Sequence, residues 1–119
     1  MDRRSRLRRQ GDFQKVLSGK RLYSGRAMVA FAVPGAEAET RIGVTVSRAI
    51  RGSIDRNRAR RRLREVSRLG ILGPDSPLRG VGIRYDVVLI ARPAALEVTF
   101  AELTAEAAQA ALRLSQLKP

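Results

Sequence analysis

The sequence predicts one α+β domain over residues 1–119, a sandwich in which helices pack on a small sheet. Two observations support this fold class. Segments with alternating apolar residues, which are typical of strands, stand between segments with helical spacing. The length of 119 residues suffices for one hydrophobic core but not for two. The predicted order is α-β-β-α-β-α, and a further short strand fits near Leu22 or Ile50.

The N-terminal part predicts a basic arm, a short helix and two strands. Residues 1–10 are rich in arginine, so we expect them to lack fixed structure without a partner. The segment GDFQKVLSGK predicts a helix with Asp12 as its N-cap and Gly19 at its end. Alternating apolar residues predict strands over 28–33 and 40–47, and the turn PGAEAE would join them into an antiparallel hairpin.

An arginine-rich helix is predicted over residues 54–69, with Gly52 or Ser53 at its start and Gly70 at its end. Helical spacing gives it two faces of different character. The apolar face holds Ala59, Leu63, Val66 and Leu69, and the cationic face holds Arg56, Asn57, Arg60, Arg61, Arg64 and Arg68. We therefore expect one face to pack and the other to bind a partner.

The remaining elements are a loop, a strand and a helix. Residues 70–83 are rich in glycine and proline and predict an exposed loop. The apolar run YDVVLIA over 85–91 predicts a strand at the buried centre of the sheet, and a parallel β-α-β crossover could connect it to the strand over 40–47. Thr99 and Glu102 form the T-x-x-E pattern of a capping box for the last helix.

Positive charge is concentrated in two blocks. The chain has 24 basic and 11 acidic residues, a net charge of +13. Residues 1–26 carry +7 and residues 41–68 carry +8, whereas residues 69–119 are neutral. A GC-rich genome would explain arginine in place of lysine, but not this distribution. Concentrated charge indicates a surface that binds a polyanion, and nucleic acid is the partner we expect.

The cationic helix face has two interpretations. Like charges four residues apart destabilise an isolated helix by a few tenths of a kcal/mol per pair, and bound phosphates would remove that repulsion. Alternatively, Asp55 and Glu65 pair with neighbouring arginines and the face is merely solvated. Their possible partners are Arg58, Arg61 and Arg62. Since two carboxylates cannot neutralise so many cations, we favour the phosphate-binding interpretation.

The composition excludes most chemistry by the protein itself. The chain has neither cysteine nor histidine, so it lacks thiol nucleophiles, the usual general base and the commonest metal ligand. Its carboxylates are scattered, whereas two-metal nucleases need several of them together. We expect no catalytic residue and no metal site in the chain. It has neither a membrane-length apolar run nor a signal peptide, so we expect a cytosolic protein.

Three stretches resemble the protein subunit of bacterial ribonuclease P. RIGVTVSRAIRGSIDRNRARRRLRE resembles the family signature of a basic strand, a V-S-(K/R) turn and an R-N-R-x-(K/R)-R-x-x-R helix. RLRRQGDFQKVLSGK and YDVVLIARPAA resemble the family's N-terminal segment and central strand. The resemblance covers roughly residues 6–114. On these motifs the chain is identified as a member of the family.

The resemblance implies an α-β-β-β-α-β-α fold with a small mixed sheet and a left-handed β-α-β crossover. It implies a holoenzyme in which a catalytic RNA subunit, with Mg²⁺, removes the 5′ leader of precursor tRNA. The protein would assist by binding both RNAs, with no cofactor tightly bound to it and no membrane or protein partner. A structural RNA-binding protein of the ribosomal type would carry the same charge. A DNA-binding module is less favoured because the helix lacks mixed base-reading side chains.

The resemblance also implies two sets of binding residues. The set for the RNA subunit is Arg56, Asn57, Arg58, Arg60, Arg61 and Arg64, which Arg68 extends on the same helix face. The set for the leader, in a cleft between the first helix and the sheet, is Phe13, Leu17, Val29, Phe31, Thr45, Ser47 and Arg48. Leu17 replaces a common aromatic residue, and Ala49 removes a cation from the turn. We expect the cleft to lie remote from the R-N-R face.

Overall fold

The structure, a computed structural model, describes residues 6–35, 39–78 and 84–117. The elements, in order, are α1 (Gln10–Leu17), β1 (Lys20–Ser24), β2 (Met28–Pro34), β3 (Arg41–Val46), α2 (Ser53–Gly70), β4 (Tyr85–Ala91), a 3-10 turn (Pro93–Leu96) and α3 (Phe100–Ser115). The α+β class is confirmed, and the further strand predicted near Leu22 is β1.

The four strands form a mixed sheet in the order β1-β2-β4-β3. Strand β2 is antiparallel to both β1 and β4, whereas β3 is parallel to β4. The predicted hairpin between β2 and β3 is therefore wrong, because β4 lies between them. Almost every residue of β4 is buried, so both of its edges and both of its faces need neighbours. The central position of β4 and the parallel β3-α2-β4 connection are confirmed.

The two faces of the sheet are covered unequally. Helices α2 and α3 pack on one face, where Leu63 and Leu103 join the main core with Leu89 of β4. Helix α1 covers the other face, where Val16 and Val88 belong to a smaller cluster. A single short helix cannot cover four strands, so part of this second face stays open to a ligand.

The start of α1 differs from the prediction, whereas α2 begins after Gly52, one of the two predicted caps. Helix α1 begins at Gln10, and Arg9 before it makes no side-chain capping bond. Asp12 therefore lies in the first turn and is not the N-cap. Helix α2 follows Gly52, which also caps nothing with a side chain but has a φ of +86° that favours glycine. Gly70 is still helical and does not end α2 in the predicted way.

The capping box of α3 is confirmed. The Thr99 hydroxyl accepts a hydrogen bond from the Glu102 amide at 3.1 Å, and the Glu102 carboxylate accepts one from the Thr99 amide at 3.1 Å. These bonds satisfy amide groups that have no partner within the helix. Leu103, Ala107, Ala110 and Leu114 of this helix are buried, but Phe100 at its start is exposed.

The basic arm is partly ordered, which differs from our expectation. Residues 6–9 lie beside β3, the Leu7 amide donates to the Ile42 carbonyl at 2.9 Å, and the Leu7 side chain is buried. An apolar residue within the arm thus fixes it to the sheet. Residues 1–5 lie outside the described residues, as do 36–38 of the predicted turn and 79–83 of the predicted loop. Residues 71–78 form turns without helix or strand, as predicted, but the expectation of an exposed loop is wrong for Ile71 and Ser76, which are buried.

Candidate nucleic-acid interface

Two arginines of α2 bind the protein's own backbone. The Nη1 group of Arg56 donates to the carbonyls of Ser47 and Ile50, at 3.0 and 2.9 Å, and so fixes the turn that leads from β3 into α2. The guanidinium of Arg62 donates to the carbonyls of Ala95 and Val98, at 2.8 and 2.7 Å. Arg62 therefore ties α2 to the 3-10 turn and is half-buried.

A third arginine, Arg68, is paired on the surface. Its Nη2 group lies 2.6 Å from the Glu65 carboxylate, one helical turn earlier, and this hydrogen bond lowers the pKa of Glu65. The alternative interpretation, which we did not favour, paired Glu65 with Arg61 or Arg62, whereas its partner is Arg68. Because its charge is already matched, Arg68 contributes less to the cationic face than the sequence suggested.

The remaining cations of α2 have no carboxylate partner among the described residues. Arg58 and Arg61 are exposed, and Arg60 donates to the Asn57 side-chain oxygen at 2.8 Å. Arg64 is half-buried. These four arginines, with the amide of Asn57, form the surface that we call the α2 cationic face. Unpaired guanidinium groups in this arrangement suit phosphate oxygens.

Arg64 lies where this face meets the N-terminal segment. Burial lowers the pKa of its guanidinium, and the charges of Arg6 and Arg60 lower it further. Both the burial and the two neighbouring cations disfavour the charged form of Arg64. A bound phosphate would reverse this effect, because it would favour the charged form of each arginine.

Arg64 and Phe13 share one surface hollow of about 430 Å³ at the edge of the sheet. The hollow is lined by Arg6, Leu7, Arg8, Phe13, Ile42, Val44 and Arg64. The expectation that the two binding surfaces are remote from each other is therefore wrong. Strand β3 forms the edge of the sheet, with α1 and α2 on opposite faces, so side chains from both helices reach it.

Beneath α1, the structure brings together part of the predicted leader set. Phe13 and Phe31 are half-buried around Val88 in the smaller cluster. The Phe13 ring lies so close to Gly43 that a Cβ there would overlap it. Gly43 thus allows α1 to lay an aromatic ring on the sheet.

Beside these aromatics runs a second row of side chains. Val29, Ile90 and Thr45 are register neighbours on β2, β4 and β3, and Ile90 and Thr45 are half-buried. Together with the Phe13–Phe31 pair, this row forms the floor of what we call the α1 groove. Ile90 was not predicted, because the continuous apolar run of β4 hides which residues face α1. Gly43 was not predicted either, because its contact with Phe13 joins distant segments.

The other predicted leader residues lie apart from this floor. Leu17 is 38% exposed at the end of α1 and is not part of the smaller cluster. Ser47 and Arg48 follow β3 in the turn towards α2. The Ser47 hydroxyl accepts a hydrogen bond from the Ala49 amide at 3.1 Å, so it stabilises this turn.

The acidic groups near the groove are already engaged. The Arg41 guanidinium donates two hydrogen bonds to the buried Asp86 carboxylate, at 3.0 and 2.8 Å, and lies 3.7 Å from Asp12. Within residues 6–35, 39–78 and 84–117, no three His, Cys, Asp or Glu side chains are grouped to hold a metal ion. In the same ranges, no helix combines the length and apolarity that a membrane span requires.

Comparison with known proteins identifies the family. The family model described as Ribonuclease P matches residues 1–115. The ribonuclease P protein component of Acidothermus cellulolyticus is 37% identical, covering 97% of this chain and 92% of its own. The ribonuclease P protein component of Dehalococcoides mccartyi is 35% identical, and the alignment covers 87% of this chain and 78% of that protein. The ribonuclease P protein of Thermotoga maritima has the same fold, with a TM-score of 0.69 and 24% identity. The superposition covers 92% of this chain and 97% of that one. The chain therefore belongs to the ribonuclease P protein family.

Proposed function

We propose that this chain is the protein subunit of a ribonuclease P ribonucleoprotein and assists removal of the 5′ leader from precursor tRNA. The family match over residues 1–115 carries this proposal. The α2 cationic face adds a physical reason, because it presents four arginines that no described carboxylate neutralises. We assign this face to the RNA subunit and the α1 groove to the leader.

The chemical step belongs, in this proposal, to the RNA subunit with Mg²⁺. The described acidic residues do not fit a metal site, since Asp12 and Asp86 face Arg41. The chain also has no histidine or cysteine to transfer protons or attack phosphorus. Its own contribution is to neutralise phosphate charge and to hold the two RNAs together, which reduces the Mg²⁺ concentration that they need.

Reconstitution tests the function directly. The protein is combined with its cognate RNA subunit, and 5′ maturation of precursor tRNA is measured at low Mg²⁺. We expect cleavage by the complex but none by the protein alone. If the protein binds the RNA subunit without stimulating cleavage, it is a structural RNA-binding protein. If RNA-free protein cleaves after further purification, the assignment of chemistry to RNA is wrong.

Assignment of the leader to the α1 groove has a separate test. The variant Phe31→Leu keeps apolar volume but removes the ring. Stacking of a base on an aromatic ring contributes about 1–3 kcal/mol. The variant holoenzyme should therefore bind a precursor with a leader of about eight nucleotides about tenfold more weakly. A precursor with one leader nucleotide should bind as before. Equal losses for both precursors, or a large fall in melting temperature, would assign Phe31 to packing alone.

A further inference from the structure

One large apolar side chain beside the α2 cationic face is almost fully exposed to solvent. Ile54 is 82% exposed, whereas the other exposed large apolar residues that the structure describes are between 38% and 44% exposed. A β-branched residue also disfavours helix slightly, so neither packing nor helix formation explains isoleucine at this position. Single exposed apolar residues are common, and the surroundings of Ile54 are what distinguish it.

Ile54 lines a surface hollow of about 510 Å³ together with Asn57, Arg60, Arg61 and Arg64. The lining contains three guanidinium groups, one amide and no carboxylate. Because the Asn57 side-chain oxygen accepts a hydrogen bond from Arg60, its two amide N–H groups remain available as donors. The hollow therefore combines an apolar contact, neutral donors and positive charge within one site.

This combination restricts the partner. Three arginines with no carboxylate partner in the described part of the chain favour a polyanion, and they disfavour an uncharged apolar protein surface. Within nucleic acid, the phosphates of a paired A-form helix face outward, but its base faces are stacked inside and cannot contact Ile54. An unpaired nucleotide exposes both an apolar base face and a polar base edge. It is the component of RNA that matches all three features of the hollow.

We propose that the hollow around Ile54 binds one unpaired nucleotide of the RNA subunit. The base face lies on Ile54, the Asn57 amide donates to the base or its sugar, and the arginines contact the adjoining phosphates. This inference rests on the proposed function, in which the α2 cationic face binds the RNA subunit. It adds a contact whose strength does not depend on salt, at a surface otherwise dominated by charge.

The test compares Ile54→Val with Ile54→Thr, because valine and threonine have the same shape and differ in polarity. Affinity for the RNA subunit is measured across a series of salt concentrations. Each buried methylene contributes about a fourfold change in affinity. We expect Ile54→Val to bind up to about fourfold more weakly and Ile54→Thr about tenfold or more. Both should keep the wild-type salt slope, which counts phosphate contacts.

Leu112→Thr is the matched control, since Leu112 is 41% exposed on α3, away from the hollow. It should bind RNA as the wild type does. A base-specific chemical probe supplies a second readout. One unpaired nucleotide of the RNA subunit should be protected by the wild-type protein and become reactive with Ile54→Thr.

Several outcomes would overturn the inference. Wild-type affinity of Ile54→Thr would show that Ile54 makes no contact, and a changed salt slope would show that its effect is electrostatic. Loss of a concentration-dependent dimer in Ile54→Thr would assign the hollow to a second copy of the chain. The double variant Arg60→Ala with Arg64→Ala separates this inference from the function on which it rests. If the double variant flattens the slope while Ile54→Thr binds normally, the nucleotide site fails but RNA binding by α2 stands.

Discussion

Arg61 and Arg62 are adjacent in the sequence, but the structure gives them opposite roles. Arg62 donates two hydrogen bonds to backbone carbonyls, whereas Arg61 is exposed and has no partner within the described residues. Replacing each with methionine keeps a long apolar stem and a strong helix former, so only the guanidinium is lost. The pair of variants separates stabilisation of the fold from binding of RNA.

The expected magnitudes follow from the contacts. Hydrogen bonds to charged groups contribute about 1.5–3 kcal/mol each, and solvent at the half-buried Arg62 reduces this to about 1–2 kcal/mol for each of its two bonds. Arg62→Met should therefore lower the free energy of unfolding by about 2–4 kcal/mol. For a chain of this length, that corresponds to a fall in melting temperature of about 8–16 °C. Because Arg61 is exposed, the free energy of unfolding of Arg61→Met should stay within about 0.5 kcal/mol of the wild-type value.

RNA binding should show the reverse order. If Arg61 contacts one phosphate of the RNA subunit, Arg61→Met should flatten the plot of log affinity against log salt by about 0.7–0.9. Arg62→Met should leave that slope unchanged at temperatures where it is folded. Calorimetry and a salt titration of RNA binding measure the two effects. The division of roles is refuted if Arg62→Met melts within about 2 °C of the wild type, or if both variants change the slope equally.

Three further predictions concern other sites. Gly43→Ala places a Cβ against the Phe13 ring, so the free energy of unfolding, measured with denaturant, should fall by about 1–3 kcal/mol. Phe13→Leu in the same chain should restore part of this loss. Wild-type stability of Gly43→Ala would contradict the close contact. Gly52→Ala forces alanine to a φ of +86°, and the unfolding free energy should fall by about 1–3 kcal/mol; an unchanged midpoint would refute this strain. Burial and the hydrogen bond to Glu106 raise the pKa of Tyr23 from 10.0 to about 12, so its contribution to stability is complete below pH 10 and is lost as pH rises towards 12. The pKa of Tyr23 is measured by a pH titration of tyrosinate absorbance, from which the titration of Tyr23→Phe is subtracted. Glu106→Gln should lower this pKa, and an unchanged titration would contradict the role of Glu106.

Local patterns in the sequence predicted the elements but not the order of the strands. Period-two alternation identified β2 and β3, and the Thr99–Glu102 spacing identified the start of α3. The insertion of β4 between β2 and β3 depends on contacts between residues more than forty positions apart, such as Arg41 and Asp86. Nearby strands usually pair, so short-range reasoning favoured the wrong hairpin.

The same limit applies to the candidate interface. Helical spacing correctly placed Ala59, Leu63 and Val66 on a buried face, opposite the arginines. Its fourth predicted member, Leu69, is instead 43% exposed near the end of the helix. It could not separate Arg56, which binds the turn after β3, from Arg60, which stays on the surface. Identical side chains acquire different roles through carbonyl groups that distant segments bring close. Knowledge of those segments' positions is needed to decide which cations remain available to RNA.

The bridge between the N-terminal segment and β3 also bears on aggregation. An open strand edge presents unpaired backbone groups on which another chain can add a strand. Here, the Leu7 amide occupies the Ile42 carbonyl, and Arg6 and Arg8 place positive charge beside the edge. Charged residues in such positions act as gatekeepers, because two copies of the edge repel each other. We therefore expect Arg6 and Arg8 also to hinder strand pairing between copies of the free protein.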